Sequence, residues 1–88
     1  MEKLKEKTTD PITNNKHSLI LFNDDINSFE YVIVKLMEIF NYDIIQAEQL
    51  TLIAHNKGKV VVKSDLMDIL MEYQIKLLFA GLNCEIKN

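Results

Sequence analysis

The chain has 88 residues, of which 48% are hydrophobic and 26% charged, with a formal net charge of −3 at pH 7. This composition is typical of one small globular domain and excludes collagen-like repeats, disorder throughout and several domains. Its longest apolar runs are short, far below the roughly 20 residues that span a bilayer. We therefore expect a single fold without a membrane segment.

The charges are unevenly distributed along the chain. All ten basic residues are lysines; residues 1–16 hold four of them against three acids, and residues 17–88 hold six against ten acids, which gives −4. A nucleic-acid binder normally carries a basic patch, so this distribution argues against that class. The single cysteine and the absence of an apolar leader in the first seven residues predict a reducing cytoplasm.

The N-terminal part of the chain predicts an arm followed by a strand. Residues 1–16 are polar, contain the only proline, Pro11, and have no apolar periodicity. We interpret them as a flexible arm, with an unselected tail as the alternative, and expect the folded domain over 17–88. Residues 18–22 are rich in strand formers, and the tripeptide Asn23-Asp24-Asp25 favours a turn after them.

Two helices are expected next, each with a cap residue before an apolar stripe. Ser28 is a good N-cap for the first, which should end near Phe40. Asp43 and Gln46 resemble a capping box that opens the second, and Gly58 supplies a left-handed residue to end it. The apolar positions recur at the spacing of one helix face. They are Phe29, Val32, Ile33, Leu36, Met37 and Phe40 in the first helix, and Ala47, Leu50, Thr51 and Ala54 in the second.

The last third of the chain predicts a strand, a helix and a short strand. Residues 59–63 are β-branched between lysines and favour a strand. Ser64 or Asp65 is expected to cap the third helix, which Gly81 ends, and residues 82–87 alternate as a half-buried strand does. The predicted inward positions are Leu66, Ile69, Leu70, Tyr73 and Leu77 in the helix, and Leu82, Cys84 and Ile86 in the strand.

This order, β-α-α-β-α-β, predicts an α+β open sandwich in which three helices cover one face of a three-stranded sheet. The sequence lacks recognisable enzymatic motifs. His17 and His55 lie far apart, no metal-binding spacing occurs, and only Gly58 and Gly81 exist to form a phosphate loop. Cys84 is expected to act as a small buried hydrophobe. We therefore predict a protein that is not an enzyme and has no metal or cofactor.

Two features can carry chemistry, although each also has an ordinary structural explanation. Asn23-Asp24-Asp25 either ends the strand as a turn or presents acceptors to a cation. His55 either interacts with the C-terminal end of its helix or acts as a further acceptor. Taken singly, each is explained by the structural alternative.

Read together, these features resemble the ClpS family of bacterial adaptors, which recruit N-degron substrates to the ATP-dependent Clp protease. The resemblance lies in residues 18–59, where an Asn-Asp-Asp loop precedes a helix and Ala54-His55 precedes Gly58-Lys59, with a looser fit at Gly81-Leu82 and the final strand. It implies the same β-α-α-β-α-β fold. It also implies a cytoplasmic, monomeric adaptor whose partners are N-degron substrates and a ClpA-type AAA+ unfoldase, with the arm engaging the unfoldase.

The resemblance further implies a site for the substrate's first residue. Asn23, Asp24 and His55 would hold its free α-ammonium group, and Asp25 would shape the loop. An ammonium has three donors and no acceptor, so an amide oxygen, a carboxylate and a neutral imidazole suit it. A hydrophobic pocket would receive the first side chain, typically that of Leu, Phe, Tyr or Trp. Its walls would be Asn27, Phe29, Val32, Thr51, Ala54 and Leu82.

The sequence also departs from the family pattern. Phe29 stands where methionine is usual, Thr51 where a bulky apolar residue is usual, and Asn27 where a threonine or similar residue is usual. The best first residue is therefore left open, because a methylene in a pocket is worth only ~1 to 3 kcal/mol. The segment 60–80 is shorter than in the family, so no Clp-docking residues are assigned there.

Two other classes of function stay open at this point. A structural or assembly module with the same fold, like the C-terminal domain of the ribosomal stalk protein, would have no pocket for an N-terminus. A hydrolase using Asp24 and Asp25 is the weakest alternative, because neither carboxylate has a partner base or metal ligand in view.

Overall fold

The computed structural model describes residues 16–88, in the order β1 (Lys16–Phe22), α1 (Phe29–Phe40), α2 (Ile44–Lys57), β2 (Lys59–Leu66), α3 (Met67–Phe79) and β3 (Cys84–Lys87). The predicted β-α-α-β-α-β order is confirmed. The arm predicted over 1–16 lies outside the described residues except for Lys16, which is the first residue of β1. Within 16–88, no helix is long and apolar enough to cross a membrane.

The sheet is antiparallel, with strand order β2-β1-β3. β1 pairs with β2 through registers such as Phe22 with Lys59, and it pairs with β3 through registers such as Leu21 with Cys84. The register of the β1–β2 pair shifts between Leu19 and Ile20. Because β1 is central, its C-terminal end lies beside both the start of β2 and the start of β3.

The ends of the first two helices are formed as the sequence predicts. Ser28 Oγ accepts a hydrogen bond from the Tyr31 N–H at 3.0 Å, and Asp43 Oδ1 accepts one from the Gln46 N–H at 2.8 Å. Gly58 ends α2 at φ 91°, in the left-handed region that favours glycine. These caps use residues close in sequence, so local chemistry is enough to place the helix ends.

The predicted N-cap of α3 at Ser64 or Asp65 is wrong. β2 continues to Leu66, and Leu66 itself occupies the cap position without a side-chain hydrogen bond to the helix. The reason is that β1 begins at Lys16, so Ser64 pairs with Ser18 and Asp65 pairs with His17. Strand pairing therefore extends through both residues.

The core lies between the sheet and the helices. α3 packs on all three strands, whereas α2 packs against β2 and α1 packs against α2 and α3. Two predicted core residues are wrong: Leu66 is 38% exposed and Ile69 is 36% exposed. Leu66 is the last residue of β2, so its side chain does not follow the helical spacing of the α3 core positions. The residues of the core cluster are Leu19, Leu21, Ile33, Leu36, Phe40, Ala47, Val62, Leu70, Leu77 and Leu82.

Cys84 is half-buried at the start of β3 and packs against this core. Burial raises the pKa of its thiol to about 11, because a low-dielectric surrounding disfavours the thiolate. At neutral pH the thiol therefore stays protonated, and only the thiolate is an effective nucleophile. This environment agrees with the predicted role of a small hydrophobe.

Candidate functional site

Backbone hydrogen bonds fix the loop between β1 and α1 beside the end of α2. The Asn23 N–H donates to the Gly58 carbonyl at 2.9 Å, and the Gly58 N–H donates to the Ala54 carbonyl at 2.8 Å. The Phe22 N–H donates to the Asn83 carbonyl at 3.0 Å. Three segments that are distant in sequence therefore meet at one end of the sheet, where β1 ends.

Asp24 organises this loop. Its Oδ1 accepts hydrogen bonds from the Ile26 N–H at 2.9 Å and the Asn27 N–H at 2.8 Å, and its Oδ2 accepts one from Asn27 Nδ2 at 3.1 Å. The Asn27 backbone bond is the largest cause that lowers the pKa of Asp24, and the Asn27 side chain and the Ile26 N–H act in the same direction against partial burial. Asp24 therefore keeps its negative charge at neutral pH.

Asn27 joins the loop to the turn between α3 and β3. Its Nδ2 donates to the Gly81 carbonyl at 2.9 Å as well as to Asp24. A second link lies nearby, since the Tyr31 hydroxyl donates to the Ala80 carbonyl at 2.7 Å. Both amide protons of Asn27 are used in this way, so its remaining hydrogen-bonding atom is the acceptor Oδ1. Asn27 was predicted as a wall residue of the pocket, and this bridging role was not predicted.

A cavity of about 130 Å³ opens between the end of β1, this loop, α1, α2 and the turn before β3. It brings together every predicted site residue except Asp25, which is exposed and does not line it. Leu21 and Phe22 also line it and were missed. The sequence contains an indication of both, because they directly precede the Asn23-Asp24 loop in the same strand. The lining residues are Leu21, Phe22, Asn23, Asp24, Asn27, Phe29, Val32, Thr51, Ala54, His55 and Leu82.

Small side chains on α2 make room for the cavity. Thr51 and Ala54 are both buried, and Thr51 Oγ1 donates to the Ala47 carbonyl at 2.8 Å. The Thr51 hydroxyl proton is therefore already used within the helix. On the α1 side, the Phe29 ring meets the His55 ring edge to face, with centroids 6.2 Å apart and planes at 87°. The interior is accordingly apolar.

Polar side chains also contribute to the cavity lining. Asn23 and His55 are exposed and Asp24 is partly exposed, so all three are accessible to a ligand. Asp24 supplies a negative charge to the lining, and no lysine lines the cavity. The arrangement suits a ligand that joins a cationic group to an apolar side chain. Among residues 16–88, no three His, Cys, Asp or Glu side chains are grouped to hold a metal ion.

The Asp24 hydrogen bonds predict a pH-dependent stability. Asp24→Ala should lower the free energy of unfolding by about 1 kcal/mol near neutral pH, because it removes the acceptor of three loop bonds. The folded-state pKa is below the unfolded value, so this contribution is present above about pH 4 and is lost as pH falls through the folded-state pKa. Urea unfolding at about pH 6 and about pH 2.5 measures it.

Asp25→Ala is the matched control for this experiment. The neighbouring Asp25 is exposed, and its side chain makes no hydrogen bond to any of residues 16–88. Its loss should leave the unfolding free energy almost unchanged at both pH values. Equal effects of the two substitutions would show that Asp24 does not organise the loop.

Comparison with known proteins identifies relatives over most of the chain. Residues 13–85 match the family model of ClpS, the ATP-dependent Clp protease adaptor protein. The ATP-dependent Clp protease adapter protein ClpS of Pectobacterium carotovorum is 40% identical over 60 residues, which cover 68% of this chain and 54% of the relative. Its counterpart in Edwardsiella ictaluri is 51% identical over 45 residues, which cover 51% and 42%. The chain spans about half the length of the curated relatives it matches.

A solved structure has the same fold. Agrobacterium tumefaciens ClpS2, in its structure bound to L-phenylalaninamide, superimposes with a TM-score of 0.73. The alignment covers 83% of this chain and 95% of the other, with 25% sequence identity. Similarity in sequence and similarity in structure therefore agree.

Proposed function

This chain belongs to the ClpS family of Clp protease adaptor proteins, and from that premise we propose that it binds substrates through their N-terminal residue. The first residue's side chain enters the cavity, and its α-ammonium group is held by Asn23, Asp24 and His55. Asp25 lies outside the cavity, and its proposed role is to help shape the loop that carries Asn23 and Asp24. The protein acts without catalysing a reaction itself.

One observation carries this proposal: the lining of an apolar cavity also includes three hydrogen-bond acceptors. The volume of about 130 Å³ is close to the ~150 Å³ of an apolar protein cavity that admits benzene. It therefore suits one ring or one branched aliphatic side chain. Because Asp24 is ionised and no lysine lines the cavity, a cation attached to that side chain is favoured over an anion.

The ligand of the similar solved structure also joins an amino group to an apolar side chain. L-phenylalaninamide, bound by the Agrobacterium tumefaciens protein, carries a free α-amino group and a benzyl side chain, and its amide takes the place of a peptide bond. It thus represents the first residue of a peptide chain. This likeness supports, for the present chain, ligands of the same chemistry.

The cavity walls favour phenylalanine and leucine as first residues. Phe29 narrows the cavity on the α1 side, whereas Thr51 and Ala54 leave space on the α2 side. A module without N-terminus recognition, like the stalk-protein domain, would have no use for acceptors placed beside an apolar cavity.

The partner of the adaptor is proposed to be a ClpA-type AAA+ unfoldase, which receives the substrates for degradation by the Clp protease. We propose that the chain acts in the bacterial cytoplasm as a monomer, with residues 1–16 serving as the arm that engages the unfoldase. The adaptor relationship to the Clp protease is the shared property of the family.

A titration of peptides that differ only in their first residue tests the proposal. Peptides that begin with Phe or Leu should bind about ten- to a hundredfold more tightly than those that begin with Ser or Gly. Burial of a Phe or Leu side chain contributes ~1.5 to 3 kcal/mol, and each 1.4 kcal/mol changes affinity about tenfold. Fluorescence anisotropy measures the dissociation constants. Equal affinities across the series would contradict N-terminus recognition.

A further inference from the structure

The turn between α3 and β3 carries one wall of the cavity. Leu82 lies in this turn, is 1% exposed and lines the cavity. Gly81 before it has φ 84°, in the left-handed region that lets the chain turn away from the end of the helix. The position of this turn therefore determines where the Leu82 side chain bounds the cavity.

The N–H groups of the turn are bound within its own helix end. The Gly81 N–H donates to the Leu78 carbonyl at 3.0 Å, and the Leu82 N–H donates to the Leu77 carbonyl at 3.0 Å. Both bonds join residues at most five positions apart, as is usual at the end of a helix. They fix the turn to α3, but they do not fix it to α1 or to the loop between β1 and α1.

The two carbonyls before Leu82 are bound from the opposite side, by side chains of α1 and of the loop that precedes it. The Tyr31 hydroxyl donates to the Ala80 carbonyl at 2.7 Å, and Asn27 Nδ2 donates to the Gly81 carbonyl at 2.9 Å. We call this pair of bonds the turn clasp. It joins residues that are 49 and 54 positions apart in the chain.

The outer side of the turn lacks apolar packing that could replace these bonds. Phe79, the last residue of α3, is 90% exposed, and Leu78 before it is 51% exposed. The turn is therefore held on one side by the burial of Leu82 and on the other by the turn clasp. Because a hydrogen bond is directional, the clasp limits the movement of this wall more than burial alone does.

Tyr31 acts from outside the cavity, since it does not line it. Its place in the first turn of α1 is fixed by the helix cap, because its N–H donates to Ser28 Oγ at 3.0 Å. Its ring also has the Lys35 ammonium 5.5 Å from its centroid. The hydroxyl is thus presented to the turn by a residue that is itself well anchored.

We propose that Tyr31 is a specificity-determining positioning residue, which holds the Leu82 wall in place through the turn clasp and so limits the size of the first side chain that binds. The inference rests on the proposed N-terminus recognition and specifies its selectivity. With the clasp formed, the cavity suits one ring or one branched aliphatic side chain. Without the Tyr31 hydroxyl, the turn can shift outward, and the cavity then admits the larger ring system of tryptophan.

Tyr31→Phe tests this role, because it removes the hydroxyl and keeps the ring. Two peptides that differ only in a first residue of Phe or Trp are titrated by fluorescence anisotropy. The parent protein should prefer the Phe-first peptide. In the variant its affinity should fall about 2- to 10-fold, the contribution of one neutral hydrogen bond, because binding must then also order the wall.

The ratio of the two affinities is the readout that decides. The affinity for the Trp-first peptide should stay the same or rise in Tyr31→Phe, so the preference for Phe over Trp should fall by at least about twofold. An unchanged ratio would overturn the role of Tyr31. A parent protein that binds the Trp-first peptide as tightly as the Phe-first peptide would overturn it as well, because the clasp would then set no size limit.

Tyr42→Phe is the matched control. The Tyr42 hydroxyl donates to the Val62 carbonyl at 2.7 Å, the same length and the same pair of groups as in the Tyr31 bond, and neither residue lines the cavity. Its loss should lower the free energy of unfolding in urea but leave the Phe-to-Trp ratio at the parent value. Equal changes of the ratio in both variants would overturn the proposal, because they would assign the effect to a general loss of stability.

A Ser-first peptide distinguishes the two levels of the proposal. If the parent protein binds the Phe-first peptide more tightly than the Ser-first peptide, but Tyr31→Phe leaves the Phe-to-Trp ratio unchanged, N-terminus recognition stands and the role of Tyr31 is overturned. If the parent protein binds all three peptides equally, N-terminus recognition is overturned and the role of Tyr31 with it.

Discussion

Acetylation of the α-amino group of a Leu-first or Phe-first peptide is expected to weaken its binding at least tenfold. The modification removes the positive charge and two of the three donors that Asn23, Asp24 and His55 would bind. A hydrogen bond to a charged group contributes ~1.5 to 3 kcal/mol, and 1.4 kcal/mol is about a factor of ten in affinity. Calorimetry measures the effect. Since the change is made on the peptide, the protein carries no substitution that could disturb the loop.

The matched control is the same peptide acetylated on a lysine side chain at its far end. It carries the same chemical group and the same change in net charge, so its affinity should remain within about twofold of the free peptide, as expected for a distant screened charge. If both acetylated peptides bound as tightly as the free one, the acceptors in the cavity lining would have no role in recognition.

Ala54→Leu is expected to block the cavity and to reduce the affinity for Phe-first peptides about ten- to a hundredfold. Ala54 is 4% exposed and lines the cavity, so the added carbons extend into the space that the ligand side chain would occupy. Exclusion of a Phe side chain forfeits ~1.5 to 3 kcal/mol of burial. Anisotropy titrations of the parent protein and the variant measure the loss.

Gln49→Leu provides the control on the same helix. Gln49 is exposed and does not line the cavity, so the same new side chain should leave peptide affinity unchanged. Thermal unfolding of both variants separates blocking from misfolding, because Ala54→Leu should retain a cooperative transition. Tight binding of Phe-first peptides by a folded Ala54→Leu protein would mean that the first side chain binds somewhere else.

The sequence by itself determined the order of elements and most of the cavity lining. Ser28 and Asp43 each accept a hydrogen bond from a residue three positions later, and Gly58 supplies a left-handed conformation within its own turn. Such features depend on neighbours in the chain, so a pattern of residue types is enough to predict them. The resemblance to a family then placed Asn23, Asp24 and His55 in one site, and the structure brings all three to one cavity.

Only the tertiary structure decided where β2 ends and how the site is held. Ser64 and Asp65 look like helix caps in sequence, but pairing with β1 keeps them in a strand. The bond from Asn27 to the Gly81 carbonyl spans 54 residues, and no local pattern indicates it. These features depend on contacts between segments far apart in the chain, and the free energy of such contacts is set by packing and pairing in the folded state.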